Sequence, residues 1–278
     1  LGLGLRSTQS PGVSSSALAS PPAVFLEENF SLATNVALSP NPYEYPNAVQ
    51  ASLTGWAFGS DCVSGVSVVA GDPTSTEGWG TMTLSDSLVY NAQAIGWQSD
   101  SQGTSSTGTG PSGEPQSRTN NNVNSTSIGR YIYTEGTAGT SAYNAENRLF
   151  IARTPGVNFN QSISNTSNDI RVSFQAHGFG QAVDTLKIFI DDAATSTEAN
   201  CALVYSNSSW AQTESASPWT TISFVMNSAD IPGLGVTDLR TTNSTFYLYL
   251  THQANDAALN DFQSDLSIDN FYIEEVIP

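Results

Sequence analysis

Four segments in the second half of the chain alternate apolar and polar residues with a period of two. Because successive side chains of a β-strand point to opposite faces, each segment places its apolar residues on one face. One apolar face per strand is typical of antiparallel strands that cover a single core, and Gly, Asn and Pro between the strands favour a β-sandwich. The four apolar sets are Val172, Phe174 and Ala176; Leu186, Ile188 and Ile190; Ile222, Phe224 and Met226; and Phe246, Leu248 and Leu250.

The last strand-like segment changes parity partway along its length. Leu266 and Ile268 set one alternation, whereas Phe271 and Ile273 set the other. An extra residue inserted into a strand shifts the alternation in this way. The sequence therefore predicts a β-bulge at residues 269–270.

The composition divides the chain into an extended N-terminal arm, residues 1–24, and one all-β sandwich domain, residues 25–278. The arm is rich in Ser, Pro and Ala and has no period, so we expect a neighbouring subunit to hold it. Residues 99–128 contain Ser, Thr, Gly and Asn with almost no apolar residue. They predict a low-complexity surface loop inserted into the domain.

The charge balance narrows the choice of partners. The chain has 8 Lys and Arg against 25 Asp and Glu, which gives a formal net charge of -17, and its one lysine is Lys187. Nucleic acid, anionic membranes and phosphate-rich ligands would be repelled by this excess of negative charge. The sequence therefore predicts neither nucleic acid nor a membrane as a partner, and it suits a protein that lies outside a cell or on the exterior of a particle.

The two cysteines allow two interpretations. Cys62 and Cys201 could form a disulfide if the protein is extracellular and the fold brings them together. They could instead be two buried thiols in strands. The sequence leaves both interpretations open.

Two segments at opposite ends of the domain resemble a known fold. They are residues 25–30 (FLEENF) and 266–273 (LSIDNFYI). Together they resemble the jelly-roll β-sandwich domains of the carbohydrate-binding-module and concanavalin-like type, in which the first and last strands lie side by side. The resemblance implies an antiparallel jelly-roll sandwich over residues 23–278.

The same resemblance implies a structural calcium ion where the early glutamates and the late aspartate meet. Glu27, Glu28 and Asp269 are the positions that match. Calcium takes about six to eight oxygen ligands, and carboxylates are abundant in this chain. The competing interpretation places these carboxylates in solvent at strand ends. Apart from this calcium, no cofactor is expected.

The arm is similar to the N-terminal arms of tailed-phage virion proteins, through a Gly/Leu repeat followed by residues 10–13 (SPGV). This resemblance implies a non-catalytic structural protein on the virion exterior, either a decoration (cement) protein or a tail or fibre component. Its partners would be other virion proteins and further copies of itself. The arm residues expected to make these contacts are Leu3, Leu5, Arg6, Pro11 and Val13.

The alternative function is that of a secreted, lectin-like carbohydrate-binding module. Aromatic faces and planar polar side chains hold sugars. Tyr247 and Tyr249 occupy outward positions on one predicted strand, Tyr131 and Tyr133 repeat that spacing, and Trp219 lies beside a strand. We expect Tyr247, Tyr249 and Trp219 to contact a glycan or partner. The competing interpretation is that these aromatic residues cover the second sheet or a contact between subunits.

A third candidate function is a glycan-cleaving enzyme that uses His177 and His252. The sequence has no Gly-x-Ser-x-Gly nucleophile turn, no His-x-x-x-His metal pair and no Glu-x-Asp-x-Glu strand. A histidine held at a strand end by its neighbours accounts for each position. The sequence therefore favours binding over catalysis.

Overall fold

The structure is a computed structural model whose described residues lie mostly in β-strands. It describes residues 23–30, 54–58, 62, 98–100, 116–119, 122–126, 131–134, 148–160, 169–179, 183–208, 210, 219–227, 231–234, 238–240, 242–254 and 265–276. The strands are β1 Val24–Glu28, β2 Ala57–Phe58, β3 Gln98–Asp100, β4 Gln116–Thr119, β5 Asn122–Thr126, β6 Tyr131–Thr134, β7 Arg148–Arg153, β8 Asp169–Phe179, β9 Val183–Asp191, β10 Ala202–Asn207, β11 Thr220–Asn227, β12 Tyr247–Ala254 and β13 Asp265–Glu275. A 3-10 turn, Glu198–Asn200, precedes β10.

The strands form two main antiparallel sheets. Sheet A has the order β11-β8-β13-β6-β3, and β1 also pairs with β13. Sheet B has the order β10-β9-β12-β7-β2. The four alternating segments of the sequence correspond to β8, β9, β11 and β12, so these predicted strands are confirmed.

The chain winds between the two sheets in the manner of a jelly roll. From β6 to β13 it visits sheets A, B, A, B, B, A, B and A in turn, and only β9 and β10 are consecutive neighbours in one sheet. The first and last described strands, β1 and β13, lie side by side. The prediction of an all-β, antiparallel, jelly-roll-like sandwich is confirmed.

The core lies between the sheets and is built from their alternating apolar residues. One continuous cluster contains buried residues from both sheets, among them Val172 of β8 and Leu248 of β12. Phe174 stacks on Phe271 with 5.6 Å between ring centroids and 16° between ring planes. Each fully buried side chain of this kind contributes roughly 1.5–3 kcal/mol. The shared core therefore holds the two sheets in one sandwich.

Strand β13 contains the predicted bulge. Its pairing with β8 shifts between Asp269 and Tyr272, and Asn270 has a φ of 51°. Asn tolerates this left-handed conformation better than most residues. The Asn270 backbone N–H donates a hydrogen bond to Asp269 Oδ1 at 2.7 Å. The bulge allows Phe271 and residues on both sides of the shift to reach the same core.

One stretch differs from its prediction. Within the predicted surface loop 99–128, β4 and β5 pair as an antiparallel two-stranded sheet. Asn120 and Asn121 separate these strands in the sequence, and Asn favours two-residue hairpin loops. Such polar strands carry no apolar alternation, so the periodicity does not reveal them. Residues 1–22 of the predicted arm lie outside the described residues, whereas Val24, placed in the arm by the sequence, begins β1.

Candidate functional site

The side of sheet A that faces away from the core carries a partly exposed aromatic ring on buried supports. Thr220 pairs with Ala176, which sets Trp219 beside His177 at the start of β11. The Trp219 ring meets the ring of Tyr131 at 5.3 Å and that of His177 at 6.0 Å, both edge-on. Tyr131 and His177 are fully buried, whereas Trp219 is partly exposed. We call this surface the outer face of sheet A, and it comprises Tyr131, Ser173, Gln175, His177, Trp219, Thr221, Ser223, Val225, Ser267 and Asp269.

Polar side chains are buried on this face next to the aromatic rings. Ser267 pairs across strands with His177, and Asp269 follows two residues later on the same face. All three are fully buried although they point away from the core. Within the described part of the chain, Ser267 Oγ has no hydrogen-bond partner. An unsatisfied buried hydroxyl costs about 1–3 kcal/mol, and its burial keeps the Ser267 hydroxyl away from a ligand on the surface.

A stripe of uncharged side chains continues from Trp219 along β11. Thr221, Ser223 and Val225 follow at every second position, and all three are exposed. Gln175 Nε2 on the neighbouring strand donates a hydrogen bond to Thr221 Oγ1 at 2.8 Å. Neither Trp219 nor any residue of β11 is charged. The stripe therefore offers an aromatic ring, an amide and hydroxyls, and at its far end Val225 pairs with Arg171, which forms an ion pair with Glu274.

The three carboxylates of the calcium prediction have separate partners. The Tyr272 hydroxyl donates to Glu27 Oε1 at 3.3 Å, and the Phe30 backbone N–H donates to Glu28 Oε1 at 2.8 Å. Burial raises the pKa of Glu28 above its ordinary value. Asp269 Oδ1 accepts a hydrogen bond from the Asn270 backbone N–H in the bulge. No three His, Cys, Asp or Glu side chains among the described residues are grouped so that they could hold a metal ion. These carboxylates do not form one ligand set, and the structural calcium stays a prediction.

The corresponding surface of sheet B, which we call the outer face of sheet B, contains Tyr247 and Tyr249 as the alternation predicts. Tyr249 is fully buried, and its hydroxyl donates to the Ala193 carbonyl at 2.5 Å. The Arg153 guanidinium stands 4.8 Å from the centroid of the Tyr247 ring. The prediction that Tyr249 is a surface contact is therefore wrong, because other residues cover it. Trp219 lies on the opposite sheet and cannot share a site with either tyrosine.

The cover over Tyr249 is the segment 192–200, which joins β9 to β10 and which we call the covering segment. Ser196 Oγ donates a hydrogen bond to Asp191 Oδ2 at the end of β9. Lys187 Nζ forms an ion pair with Glu198 Oε1 at 3.1 Å. The single lysine of the chain thus helps to fix this segment against sheet B.

The two histidines do not share a site. His177 lies on the outer face of sheet A, whereas His252 has the parity of Leu248 and Leu250 on β12 and points into the core. Complete burial lowers the pKa of His252 to about 3. The structure therefore does not bring together the histidine pair of the glycan-cleaving hypothesis.

Both cysteines are thiols and belong to the outer face of sheet B. Cys62 is fully buried in a cluster with Phe189 and Tyr249, and Cys201 packs against the same cluster. Neither lies in a strand, contrary to one of the two interpretations of the sequence. Burial above all, together with the charge of Asp191, raises the pKa of Cys201 to about 12.

Sequence reasoning identified only part of the outer face of sheet A. The sequence predicts Trp219 as a glycan or partner contact and shows the spacing of Tyr131, but it predicts no role for Gln175, Thr221 or Ser267. A usable signal was the alternation Trp219-x-Thr221-x-Ser223, which continues opposite to the apolar alternation of β11. The five arm residues of the assembly prediction, Leu3, Leu5, Arg6, Pro11 and Val13, lie outside the described residues.

Comparisons with known proteins give structural neighbours only. No family model matches the chain, and no curated protein matches it. The chain is similar to the CBM22-1 xylan-binding domain from Paenibacillus barcinonensis Xyn10C, with 12% identity, a TM-score of 0.33, and coverage of 92% of this chain and 96% of that domain. It is similar to the K2 cleaved adhesin domain of Lys-gingipain, with 10% identity, a TM-score of 0.35, and coverage of 91% and 98%.

A third neighbour is TmCBM61, solved in complex with beta-1,4-galactotriose, with 11% identity, a TM-score of 0.25, and coverage of 52% of this chain and 70% of that one. Carbohydrate-binding modules are the class of domain that the sequence resembles, whereas these neighbours do not show the likeness of the arm to phage proteins. Identities and TM-scores this low carry no argument about a ligand, so the functional case depends on the geometry of the site. The described residues include no helix with the length and apolar character of a membrane span.

Proposed function

We propose that the chain is a non-catalytic carbohydrate-binding module that holds a neutral glycan against the outer face of sheet A. The observation that carries the proposal is the partly exposed ring of Trp219 beside the hydrogen-bonded pair of Gln175 and Thr221. This surface combines the two kinds of contact that a sugar requires.

The aromatic part of the surface suits the apolar face of a sugar ring. Stacking on an aromatic face removes the C–H groups of a sugar from water. The edge-on contacts of Trp219 with Tyr131 and His177 restrict the indole before any ligand arrives. Binding therefore loses little side-chain entropy at this residue, which favours affinity.

The polar part suits the hydroxyl groups at the edge of a sugar. Gln175 has both a carbonyl acceptor and amide donors, and Thr221 has a hydroxyl that can donate and accept. These two groups already bond each other at 2.8 Å, so they hold a fixed geometry that a sugar hydroxyl can join. Directed hydrogen bonds of this kind orient a ligand that stacking alone would leave free to rotate.

The charge distribution supports a neutral ligand. The residues from Trp219 to the end of β11 are uncharged, although the whole chain has a formal net charge of -17. A polysaccharide that carries carboxylates or sulfates would approach against this negative field, whereas a neutral one would not. We infer that the preferred glycan is uncharged and that the protein acts outside the cell, where such chains are found.

The experiment is affinity electrophoresis of the purified chain in gels that contain neutral or acidic polysaccharides. We expect at least one neutral polysaccharide to retard the wild-type protein. Trp219→Ala should weaken that binding at least about tenfold, which corresponds to about 1.4 kcal/mol. Thermal unfolding of the variant checks that the fold is retained.

Tyr247→Ala is the matched control, because it removes a partly exposed aromatic side chain from the opposite sheet. It should leave retardation unchanged. Retardation of Trp219→Ala equal to that of the wild type would contradict the proposed site. Preferential retention by an acidic polysaccharide would contradict the choice of a neutral ligand. The virion-exterior function stays a prediction, since its arm residues lie outside the described part of the chain.

A further inference from the structure

The cluster on the outer face of sheet B brings together the only two cysteines of a 278-residue chain. Cys62 is fully buried there between Ile151, Phe189 and Tyr249, and Cys201 packs against the same side chains. The two residues are far apart in the sequence, so only the fold places them together. The proposed glycan site lies on the other sheet and plays no part in this arrangement.

Ser196 of the covering segment contacts both cysteines. Its backbone N–H donates to the Cys62 carbonyl at 3.1 Å. Its hydroxyl Oγ lies 3.4 Å from Cys201 Sγ. Ser196 therefore contacts the Cys62 backbone through its N–H and the Cys201 thiol through its hydroxyl, which places the two cysteines on neighbouring positions around it. Disulfides form between residues whose Cβ atoms lie about 3.5–4.5 Å apart.

We propose that Cys62 and Cys201 form an intramolecular disulfide when the folded chain meets a small-molecule disulfide such as oxidised glutathione. The Cys201 thiolate attacks one sulfur of oxidised glutathione and expels a glutathione thiolate, which leaves a mixed disulfide on Cys201. The Cys62 thiolate then attacks the Cys201 sulfur and expels the second glutathione. Two protein thiols are oxidised and one small disulfide is reduced to two thiols, because the two glutathione thiolates take up the two protons that the protein thiols lose.

The two thiols have different surroundings and therefore different roles in this reaction. Cys201 is partly exposed and can meet a reagent in solution, whereas Cys62 is fully buried and reacts only with a neighbour. Burial, together with the charges of Asp191 and Glu198, disfavours a thiolate at Cys201, so the first step is slow at neutral pH and faster in alkali.

The bond would anchor a weakly held part of the sandwich. Cys62 follows β2, a two-residue edge strand that pairs with β7 alone among the described strands. Cys201 precedes β10 at the far edge of sheet B. A covalent link between them closes a long loop and reduces the entropy of the unfolded chain. Oxidation should therefore raise the midpoint of thermal unfolding by several degrees.

The experiment is incubation of the full chain with oxidised glutathione at about pH 8.5 and at about pH 10, because the raised pKa of Cys201 leaves little thiolate at the lower value. We expect loss of both thiols in a titration with Ellman's reagent, a monomer whose mass falls by two hydrogen atoms, and a cross-linked peptide pair that contains Cys62 and Cys201. Cys201→Ser should abolish the mass loss and leave Cys62 unreacted in the folded protein. Cys62→Ala should stop at the mixed disulfide on Cys201.

Three outcomes would overturn the proposal. They are a wild-type protein that stops at the mixed disulfide, one that forms only intermolecular dimers, and one whose thiols react only after denaturation. If Cys62→Ala does not fold, peptide mapping of the wild-type protein and the Cys201→Ser variant still decide the question. Glycan binding by the oxidised protein is a separate measurement, and its result does not bear on whether the bond forms.

Discussion

The outer faces of the two sheets carry similar rows of side chains, but the two rows differ in how far they are buried. On sheet A, Trp219 begins a row of exposed residues along β11, and its ring remains partly open to solvent. On sheet B, Tyr247 and Tyr249 occupy the same kind of alternating position, but Tyr249 is fully buried. The difference arises from the covering segment, which bonds the Tyr249 hydroxyl through Ala193.

A side chain that points away from the core is therefore not always exposed to solvent. Both rows satisfy the period-two rule, and both place aromatic rings away from the core. The covering segment lies over Tyr249 on sheet B, whereas the row along the edge strand β11 of sheet A stays exposed, although His177 and Ser267 further into that sheet are buried. We assign binding to sheet A and stability to sheet B on this basis.

The largest expected effect is a difference in the loss of unfolding free energy between two single substitutions. Tyr249→Ala removes a fully buried ring and a hydrogen bond, so it should lower the free energy of unfolding by about 3–5 kcal/mol. Trp219→Ala removes a partly exposed ring and should cost about 1–2 kcal/mol. Urea unfolding followed by circular dichroism measures both. A greater loss of unfolding free energy for Trp219→Ala than for Tyr249→Ala would contradict this account.

The second effect is a pH dependence of stability that arises from His252. The core holds His252 neutral with a pKa of about 3, against about 6.5 in an unfolded chain. The unfolded state therefore binds a proton first as the pH falls, and stability decreases from pH 6.5 towards pH 3. Between pH 7 and pH 5 this histidine should cost about 2 kcal/mol.

His252→Gln is the matched variant, because glutamine cannot take up a proton. Urea unfolding at pH 7, 6 and 5 should show the decrease in the wild type and a flatter profile in the variant, whatever the absolute stability of the variant. Equal slopes in the two proteins would show that His252 is not held neutral in the core.

The third effect tests the proposed glycan site on the outer face of sheet A. Thr221→Val keeps the shape of the side chain and removes the hydroxyl that bonds Gln175. The affinity for the retained glycan should fall about fivefold, or about 1 kcal/mol, in isothermal titration. Thr220→Val is the control, because Thr220 is exposed on the same strand with the opposite parity. Equal losses from the two substitutions would argue against a site on this face.

The smallest effect concerns the ion pair of the covering segment. Lys187 and Glu198 retain side-chain exposures of 35% and 33%, so water and salt screen their attraction. Lys187→Gln should change the free energy of unfolding by less than about 0.5 kcal/mol. Differential scanning calorimetry at low and high salt checks this value. A loss comparable to that of Tyr249→Ala would mean that the ion pair holds the cover in place.

The strands and the bulge could be predicted because they depend on local pattern. The apolar residues of β8, β9, β11 and β12 share one face, and the parity change in β13 marks one inserted residue. Hydrophobic alternation reports which face meets the core, and this information is present in a few consecutive residues. The polar strands β4 and β5 lack it and were therefore not predicted.

The site could be predicted only in part because it depends on contacts between distant residues. Trp219 meets Tyr131 across the sheet, and Ser267 meets His177 through strand pairing that no local pattern specifies. The burial of Tyr249 depends on the path of the covering segment, which carries no periodic signal. The proximity of the two cysteines likewise follows from the fold and not from their spacing.

The most direct test of the central claim is a crystal structure of the chain with an oligosaccharide cut from a neutral polysaccharide that the protein retains. The account predicts density for a sugar ring stacked on Trp219, with its hydroxyls within hydrogen-bond distance of Gln175 and Thr221. Density on the outer face of sheet B beside Tyr247, with the Trp219 ring still facing solvent, would contradict it.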